Sequence, residues 1–192
     1  MSATRPLLVL IGPAATGKST VGAVVAERLR TTFVDLDAVG EPFYREVGWS
    51  LARLVERVRA VGRVAAEREW ESARAHAVAR AMATSPGAVV ALGAGHASYT
   101  DPQHATTVRN ALAGDGRVVL LLPSLDRYEA LTQLRQRSLS DKGTDWVRDG
   151  HDFLAQWYDE EFMREIATDV VVSGGRAPAA TADDVLTLIQ TG

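Results

Sequence analysis

Residues 12–20 read Gly-Pro-Ala-Ala-Thr-Gly-Lys-Ser-Thr, and this stretch decides the fold of the chain. It fits the pattern G-x-x-x-x-G-K-[ST] of the phosphate-binding P-loop, in which backbone N–H groups surround phosphate oxygens. The apolar residues 7–11 before it are typical of a buried parallel strand, and residues 21–29 after it have helical spacing. A helix that begins at the loop adds partial positive charge at the same place. Strand, loop and helix together therefore predict a nucleotide-phosphate site.

The residues of this loop are expected to bind different parts of a nucleotide and its metal ion. Lys18 reaches the β- and γ-phosphates in such loops, and the hydroxyl at the Ser19 position ligates Mg²⁺. The chain has only two lysines, Lys18 and Lys142, so the lysine in the motif does not reflect abundance. The motif implies ATP and Mg²⁺ as cofactors, with nucleotide contacts from Gly12, Ala15, Thr16, Gly17, Lys18, Ser19 and Thr20.

Composition predicts a single soluble domain, which we assign to residues 1–192. Of the 192 residues 46% are hydrophobic and 23% charged, as in ordinary globular proteins. The net charge of −3 gives no electrostatic reason to bind nucleic acid or an anionic membrane, and no apolar run has transmembrane length. The absence of cysteine excludes disulfides and thiolate metal sites. Residues 1–6 lead straight into the first strand, so we expect no signal peptide and a cytoplasmic protein.

Strand and helix signals alternate, which predicts a three-layer α/β/α sandwich with a parallel sheet of about five strands. Residues 138–150 are polar and charged and contain two glycines, so we predict a mobile loop there. We expect strands at residues 7–11, 32–34, 88–92, 118–122 and 169–172. Later helices are expected at residues 50–83 with a break at Gly62, from Asp101 to about residues 114–116, at 125–137, at 152–167, and from a cap at Thr181 to about 189.

Two aspartates, Asp35 and Asp37, follow the second predicted strand. We expect them on one side of an extended segment, because side chains alternate along a strand. Ligands of open parallel sheets bind at the carboxyl ends of the strands, where the P-loop also lies. One carboxylate can help to hold Mg²⁺, and the other can accept a proton or hydrogen bond from a substrate hydroxyl. A polar strand end or helix cap is the alternative interpretation.

The third predicted strand leads into Gly93-Ala94-Gly95, followed by His96. Small residues here let the backbone approach a ligand closely and offer N–H donors, although an ordinary tight turn has the same composition. His96 is either a substrate contact or a surface histidine. The four histidines of the chain have no metal-ligand spacing, so we expect no histidine metal site.

Cations flank the predicted mobile loop. Arg135 and Arg137 end the helix before it, and Lys142 and Arg148 lie within it. Cations neutralise the charge that spreads over the phosphoryl oxygens during phosphoryl transfer. Several of them beside a flexible loop near a P-loop predict a lid at residues 138–150.

Together these segments resemble shikimate kinase, within the nucleoside-monophosphate-kinase-like group, over most of the chain. The P-loop and Asp35-Leu36-Asp37 are similar to the family's phosphate loop and Asp-x-Asp strand end. Arg68-Glu69-Trp70-Glu71 resembles its Arg-x-x-Glu segment, and residues 91–95 resemble the strand that ends in three glycines. Residues 131–135 and Gly175-Arg176-Ala177-Pro178 resemble its two segments around adenine.

The resemblance implies a P-loop kinase that transfers the γ-phosphate of ATP to a hydroxyl of a small molecule. It implies catalytic roles for Lys18, Asp37 and Arg137, and Mg²⁺ held by Ser19 and Asp35. For the adenine side it implies Arg135, Arg176 and Pro178, and for the acceptor pocket Asp37, Arg68, Gly93, Ala94 and Gly95.

Several departures from the family pattern concern the acceptor. The middle glycine is Ala94, the residue before the family's arginine is Glu67, and the lid reads Arg-Ser-Leu-Ser at residues 137–140. The family's second carboxylate-binding arginine falls near Asp159, with Arg164 as the nearest arginine. An aspartate would repel a carboxylate, so we expect poor activity on shikimate, the first candidate acceptor. A nucleoside, sugar, antibiotic or other hydroxylated metabolite is the alternative.

A nucleotide-binding switch or ATPase without a small acceptor is an alternative of a different class. A GTPase would be expected to contain Asn-Lys-x-Asp, and the sequence has no such segment. A motor ATPase usually has an apolar strand that ends in acid, whereas the third and fourth predicted strands lead into Gly93 and Pro123. The interpretation is therefore a small-molecule kinase, expected as a monomer or weak homodimer.

Overall fold

The computed structural model describes residues 5–114 and 116–190, and a parallel sheet of five strands lies at its centre. Every neighbouring pair of strands is parallel, and Leu10 in the middle strand pairs with Ala91 on one side and Val119 on the other. This confirms the predicted α/β class and the five strands. In order across the sheet they are β2 (Phe33–Asp35), β3 (Val89–Ala91), β1 (Leu8–Ile11), β4 (Arg117–Leu122) and β7 (Asp169–Val172).

Helices cover both faces of this sheet. On one face α1 (Lys18–Leu29), which follows the P-loop, packs beside α11 (Pro178–Gln190). On the other face α6 (Glu71–Thr84) packs against α7 (Pro102–Leu112). The remaining helices are α2 (Leu36–Val39), α3 (Glu41–Glu46), α4 (Leu51–Val61), α5 (Arg63–Glu69), α8 (Arg127–Lys142), α9 (Phe153–Asp159) and α10 (Glu161–Ile166).

The alternation of side chains along β1 divides the core into two layers. Val9 and Ile11 belong to the cluster that includes α6 to α10, whereas Leu8 and Leu10 belong to the cluster with α1 and α11. Successive side chains of a strand point to opposite faces, so an all-apolar strand is buried on both. The core therefore holds the end of β1, and with it the start of the P-loop, in a fixed position.

Two predicted helical regions are interrupted in the structure. The region at residues 50–83 is three helices, because Gly62 with φ 83° ends α4 as predicted and α5 ends at Trp70. A glycine adopts this positive φ without steric cost. The region at 152–167 is divided at Glu160, whose side chain accepts from the Phe162 N–H as an N-cap of α10.

The predicted loop at residues 138–150 is only partly a loop. Helix α8 continues to Lys142 and ends at Gly143, which has φ 65° and caps the helix in the left-handed conformation. After it, β5 (Val147–Arg148) forms a short antiparallel pair with β6 (His151–Asp152). The boundary at Arg137 was wrong because the helix-ending glycine, Gly143, lies six residues further on, in line with the preference for glycine after a helix.

Smaller differences occur elsewhere. The final helix begins at Pro178, so Thr181 is not its cap but a buried residue of its first turn. Helix α7 ends at Leu112, and Asp115, at the predicted helix end, lies outside the described residues, as do residues 1–4 and 191–192 of the domain assigned above. Among the described residues, no helix combines the length and apolar character required to cross a bilayer.

Candidate active site

A cavity of about 800 Å³ lies at the carboxyl ends of β1, β2 and β3. The P-loop forms one side of it, and residues of α4, α5 and α6 form the opposite side together with a 3-10 turn at Ala94–Ala97. Residues from the end of α8 and the following segment close a third side. One continuous space therefore joins the phosphate-binding loop to a second compartment.

The backbone of the P-loop has the strained geometry that its sequence requires. Gly12 has φ 139° and Gly17 has φ 91°, and a side chain at Gly12 would collide with the carbonyl oxygen of Leu121 in β4. Ala15 also has a positive φ, 64°, which is uncommon for a residue with a Cβ. The glycines therefore let the loop pass closely over β4 before α1 begins at Lys18.

Lys18 is folded into the loop and buried. Its Nζ donates to the carbonyl oxygens of Gly12 at 2.8 Å and Pro13 at 2.7 Å. Burial lowers the pKa of Lys18 to about 8, while the negative charges of Asp37 and Asp35 oppose that shift. The lysine therefore remains mostly charged at pH 7, although less firmly than an exposed lysine, and an anion brought to the loop would favour its charged form.

Asp35 and Asp37 both line the cavity, but they do not share an extended segment. Asp35 is the last residue of β2 and the N-cap of α2, and its Oδ1 accepts from the backbone N–H of Asp37 at 3.1 Å. Asp37 therefore lies in the first turn of α2. The strand prediction was wrong at this point because an aspartate cap starts a helix here, as is common for this residue.

The turn after β3 is made of small residues for two separate reasons. A side chain at Gly93 would collide with the Asp37 carboxylate, and one at Gly95 would collide with the Arg74 guanidinium. Arg74 in turn donates to the Gly95 carbonyl oxygen. Ala94 lies between them and lines the cavity, so an alanine is accommodated there. These glycines thus make room for two charged side chains of the site.

His96, which the sequence left as either a substrate contact or a surface residue, is buried at the cavity wall with 2% of its surface exposed. Its Nε2 lies 2.8 Å from the Tyr44 hydroxyl and its Nδ1 lies 3.5 Å from Asp37 Oδ1. Burial lowers the pKa of His96 to about 4, with the positive charge of Arg74 acting in the same direction. The side chain is therefore neutral at physiological pH.

The compartment opposite the P-loop contains two arginines that share one carboxylate. Glu67 forms an ion pair with Arg63 and lies 3.7 Å from Arg74 Nη1. Two tryptophans, Trp146 and Trp157, pack edge to face at 5.1 Å beside them. The compartment therefore combines a net positive charge with aromatic walls.

Polar groups of this compartment have no partner of their own. Among the described residues, the buried side-chain nitrogens or oxygens without a hydrogen bond are Nε1 of Trp70, Nε of Arg74, Nδ1 of His96, Nε1 of Trp146 and Oγ of Ser138. The first four belong to residues that line the cavity. Buried N–H groups without partners are costly, so the donors of Trp70, Arg74 and Trp146 indicate a ligand rich in hydrogen-bond acceptors, whereas Nδ1 of His96 lies toward Asp37.

The side of the cavity near the end of α8 includes several of the predicted cations. Arg137 and Lys142 line it, and so do Arg176, two residues before α11, and Pro178, the first residue of that helix. Arg176 also forms an ion pair with Asp184 in that helix. Arg148 is directed elsewhere, because its guanidinium donates to Thr144 and to its own segment.

Comparison with known proteins agrees with this geometry. The family model of shikimate kinase matches residues 14–190. The chain belongs to the shikimate kinase family. It is 32% identical over 197 residues to a shikimate kinase of Streptomyces coelicolor, covering 97% of each chain. It is 27% identical over 179 residues to that of Pseudomonas syringae, covering 93% of each.

Solved structures share the fold of the chain. The shikimate kinase of Acinetobacter baumannii in complex with shikimate superimposes with a TM-score of 0.67 at 22% identity, over 97% of this chain and 93% of that one. The enzyme of Aquifex aeolicus gives a TM-score of 0.56 at 18% identity, over 96% of each chain. As a member of the shikimate kinase family, the chain is a nucleotide-binding kinase that phosphorylates a hydroxyl group.

Three residues that we aligned with shikimate kinase positions lie outside the cavity. Arg68 is exposed at the end of α5 and lines a separate cavity of about 240 Å³. Arg135 forms an ion pair with Asp152. Asp159, the suspected obstacle to a carboxylate, is paired with Arg127 at 2.7 Å on the surface. The structure therefore does not bring Arg68, Arg135 and Asp159 together with the residues that line the cavity.

The other predicted site residues converge on the cavity or support it. Gly12 and Gly93 lie behind the lining and shape it. Residues that sequence reasoning missed are Arg63, Glu67, Trp70 and Arg74. The lining residues that were predicted are Ala15, Thr16, Gly17, Lys18, Ser19, Thr20, Asp35, Asp37, Ala94, Gly95, Arg137, Arg176 and Pro178.

Replacing Gly93 by alanine is expected to displace Asp37. The new methyl group would occupy the space of the Asp37 carboxylate, which must then move away from Gly93 and out of its present position. A displacement of about 1 Å can cost on the order of a hundredfold in rate, so we expect kcat to fall at least about tenfold. Nucleotide affinity and the midpoint of thermal unfolding serve as controls. Unchanged kcat in the folded variant would contradict a role for this contact.

Proposed function

We propose that this kinase transfers the γ-phosphate of ATP to a hydroxyl of shikimate in a reaction that depends on Mg²⁺. The observation that carries the proposal is one continuous cavity with the P-loop at one end, Asp37 beside it, and unpartnered donors at the other end. An anionic acceptor with several hydroxyl groups has the acceptor atoms that those donors require. Membership of the shikimate kinase family supports the same acceptor.

The donor side fits ATP and Mg²⁺. Backbone N–H groups of the P-loop and Lys18 would hold the β- and γ-phosphates, with Arg176 and Pro178 toward the base. Ser19 and Asp35 line the cavity and offer two oxygen ligands for Mg²⁺. Within the described residues no group of three or more His, Asp or Glu forms a metal site, which agrees with an ion that binds mainly through phosphates and water. When bound, Mg²⁺ neutralises charge on the phosphates.

The acceptor side fits a carboxylate. Arg63 and Arg74 share the single carboxylate of Glu67, so a second carboxylate can approach two guanidinium groups. Arginine binds carboxylates through charge-assisted and often paired hydrogen bonds. The expected poor activity on shikimate depended on Arg68 and Asp159, neither of which lines the cavity. The physical reason to prefer a neutral or cationic acceptor is therefore removed.

The residues of the chain support a simple transfer step. The acceptor oxygen forms a bond to the γ-phosphorus while the bond from that phosphorus to the bridging oxygen of ADP breaks. Asp37 accepts the proton of the hydroxyl, and Lys18 and Arg137 stabilise the charge that develops on the phosphoryl oxygens. Asp37 is suited to this task because it lines the cavity and 62% of its side chain is exposed to incoming substrate.

We also propose that the chain is one domain in which residues 138–150 act as a lid. The segment after α8 contacts the acceptor side, because Asp149 Oδ2 accepts from the backbone N–H groups of Arg63 at 2.5 Å and Val64 at 3.3 Å. Trp146 lies 5.9 Å from the Arg63 guanidinium. Closure of such a segment would exclude water from the transfer step.

The proposal is tested by ATP turnover with and without candidate acceptors. We expect turnover that depends on shikimate and formation of a phosphorylated product detectable by ³¹P NMR. Turnover that is independent of any acceptor would instead support an ATPase. Activity on neutral polyols but not on shikimate would contradict the proposed acceptor while leaving the kinase assignment intact.

Replacing Arg74 by methionine is expected to raise the KM for shikimate about 30- to 150-fold. The variant loses one charge-assisted hydrogen bond, of about 2–3 kcal/mol, to the acceptor carboxylate. Arg68→Met is the matched control, because Arg68 lies six residues earlier, is exposed and lines the other cavity. We expect it to change KM less than about twofold. Equal effects of the two variants would contradict the proposed carboxylate site.

A further inference from the structure

His96 is placed between two side chains in a way that the transfer step described above leaves unexplained. It lies in the 3-10 turn after β3, fully enclosed, with Tyr44 of α3 on one edge of the ring and Asp37 of α2 on the other. The Tyr44 ring is inclined by 16° to the imidazole with the two centroids 6.1 Å apart, and the Trp70 ring lies edge to face at 6.5 Å. Its own turn, Tyr44 and Trp70 therefore fix the position of the imidazole.

The Asp37 carboxylate, by contrast, has few contacts that fix its position. Of its side chain 62% is exposed, and one face lies against Gly93, which contributes no side chain. Within residues 5–114 and 116–190, the imidazole of His96 is the group that lies within ion-pair distance of this carboxylate, at 3.5 Å. An exposed aspartate without a fixed neighbour samples several rotamers, and most of them would not point toward an acceptor hydroxyl.

The hydrogen-bond chain selects one form of the neutral imidazole. If Tyr44 donates its hydroxyl proton to Nε2, the ring proton lies on Nδ1 and points at Asp37 Oδ1. The opposite arrangement would direct the lone pair of Nδ1 at a carboxylate, which is repulsive. At 3.5 Å the Nδ1–Asp37 contact is longer than a hydrogen bond, and contacts of this kind often tighten when substrates bind.

The charged groups around the ring agree with a neutral histidine. Asp37 and Asp35 would favour the imidazolium, whereas burial and Arg74 oppose it, and burial is the largest of these effects. Burial also raises the pKa of the Tyr44 hydroxyl, so that the hydroxyl keeps its proton and can donate it. The ring thus has one proton, and Tyr44 and Asp37 decide which nitrogen carries it.

We propose that His96 is a positioning residue for phosphoryl transfer: its Nδ1–H holds the Asp37 carboxylate toward the acceptor hydroxyl, and Tyr44 fixes the required tautomer. The proposal rests on the role given to Asp37 in the proposed function. His96 touches neither phosphate nor acceptor in this role and acts through Asp37. Loss of the contact lowers kcat by about 10- to 100-fold, because a misplaced base reduces the fraction of productive complexes.

Two substitutions separate this role from simple packing. His96→Asn places an amide N–H near the position of Nδ1, whereas His96→Gln places one near Nε2, toward Tyr44. We expect Asn to retain kcat within about threefold and Gln to lose about 10- to 100-fold, with both KM values within about threefold of wild type. Glutamine is closer to histidine in size, so a purely structural role would give the opposite order. That order, or equal losses in both variants, would overturn the proposal.

A spectroscopic test needs no acceptor. In ¹⁵N NMR of the ligand-free protein we expect the neutral His96 ring to carry its proton on Nδ1, the less common tautomer of free histidine. The signal is assigned by its loss in His96→Asn, and His104, a residue of α7 outside the cavity, serves as the reference ring. A proton on Nε2 would overturn the proposal.

The two tests also separate this inference from the proposed function. The kinetic comparison uses any hydroxylated acceptor that the wild-type protein phosphorylates. If shikimate is not phosphorylated, the proposed acceptor fails, while the tautomer and the Asn-to-Gln order still decide the role of His96. If shikimate is phosphorylated and the Nδ1 proton is absent, the proposed function stands and this inference fails.

Discussion

Lys18→Met is expected to lower kcat about a thousandfold or more while the protein remains folded. The lysine is the one cation within the curve of the P-loop, where it contacts the carbonyl oxygens of Gly12 and Pro13. With nucleotide bound, its charge would lie at the phosphoryl oxygens, where negative charge develops in the transition state. Such a preorganised charge stabilises the transition state by several kcal/mol, which corresponds to the expected loss in rate.

The stability of the Lys18→Met variant shows whether a loss of activity comes from the missing charge or from unfolding. Burial lowers the pKa of Lys18 from 10.5 to about 8, so the unfolded chain binds more protons than the folded one between these values. The charged lysine therefore opposes folding at pH 7, and its contribution to stability rises with pH between about 8 and 10.5. We expect the midpoint of thermal unfolding of ligand-free Lys18→Met at pH 7 to equal or exceed that of wild type.

Lys142→Met is the matched control, because Lys142 is the other lysine of the chain and lies exposed at the end of α8. The same chemical change at the end of α8 should lower kcat far less than the change in the P-loop. A folded Lys18 variant that turns over at close to the wild-type rate would show that the loop does not hold the transferred phosphate.

Asp37→Asn is expected to lower kcat about a hundredfold while the affinity for nucleotide changes little. The amide keeps the shape of the side chain but cannot accept the acceptor proton, and general base catalysis is typically worth 10²- to 10⁴-fold. Steady-state kinetics with ATP and acceptor varied separately measure the effect. A loss in kcat below about tenfold would mean that Asp37 is not the base.

Asp35→Asn provides the comparison for that variant. Asp35 is proposed to bind Mg²⁺, so the activity lost in Asp35→Asn should be restored in part by a higher Mg²⁺ concentration. The activity lost in Asp37→Asn should not be restored in this way. The two aspartates are two residues apart, and their different responses would separate a metal ligand from a base.

The sequence was sufficient for the features that depend on local pattern. The P-loop has a fixed spacing, and the apolar runs of the five strands are continuous because both faces of the sheet are covered. Arg74 could not be found in this way. The chain bends at Trp70, between α5 and α6, and the bend changes which side chains face the cavity. Arg68 is therefore exposed, whereas Arg74 lines the cavity. The spacing of residues within α5 or within α6 does not reveal the angle between the two helices.

Partners distant in sequence account for the other differences between the sequence analysis and the structure. Asp159 is neutralised by Arg127, which lies 32 residues earlier, and Arg135 is occupied by Asp152. The burial of His96 depends on Tyr44, 52 residues away. The end of α8 differs in kind, because Lys142 followed by Gly143 is a helix-ending signal that the sequence already contained.

The carboxylate of Asp149 links the segment after α8 to Arg63, 86 positions earlier in the chain. The first turn of α5 can therefore report the movement of that segment. The N–H groups of Arg63 and Val64 both donate to it, and the exchange of such amide hydrogens with solvent deuterium requires that these bonds open. The exchange rate of these two amides therefore measures how often the segment after α8 detaches, without any label attached to the segment. Deuterium uptake by the peptide that contains Arg63 and Val64, measured with and without bound ligands, would show whether ligands change how often this segment detaches.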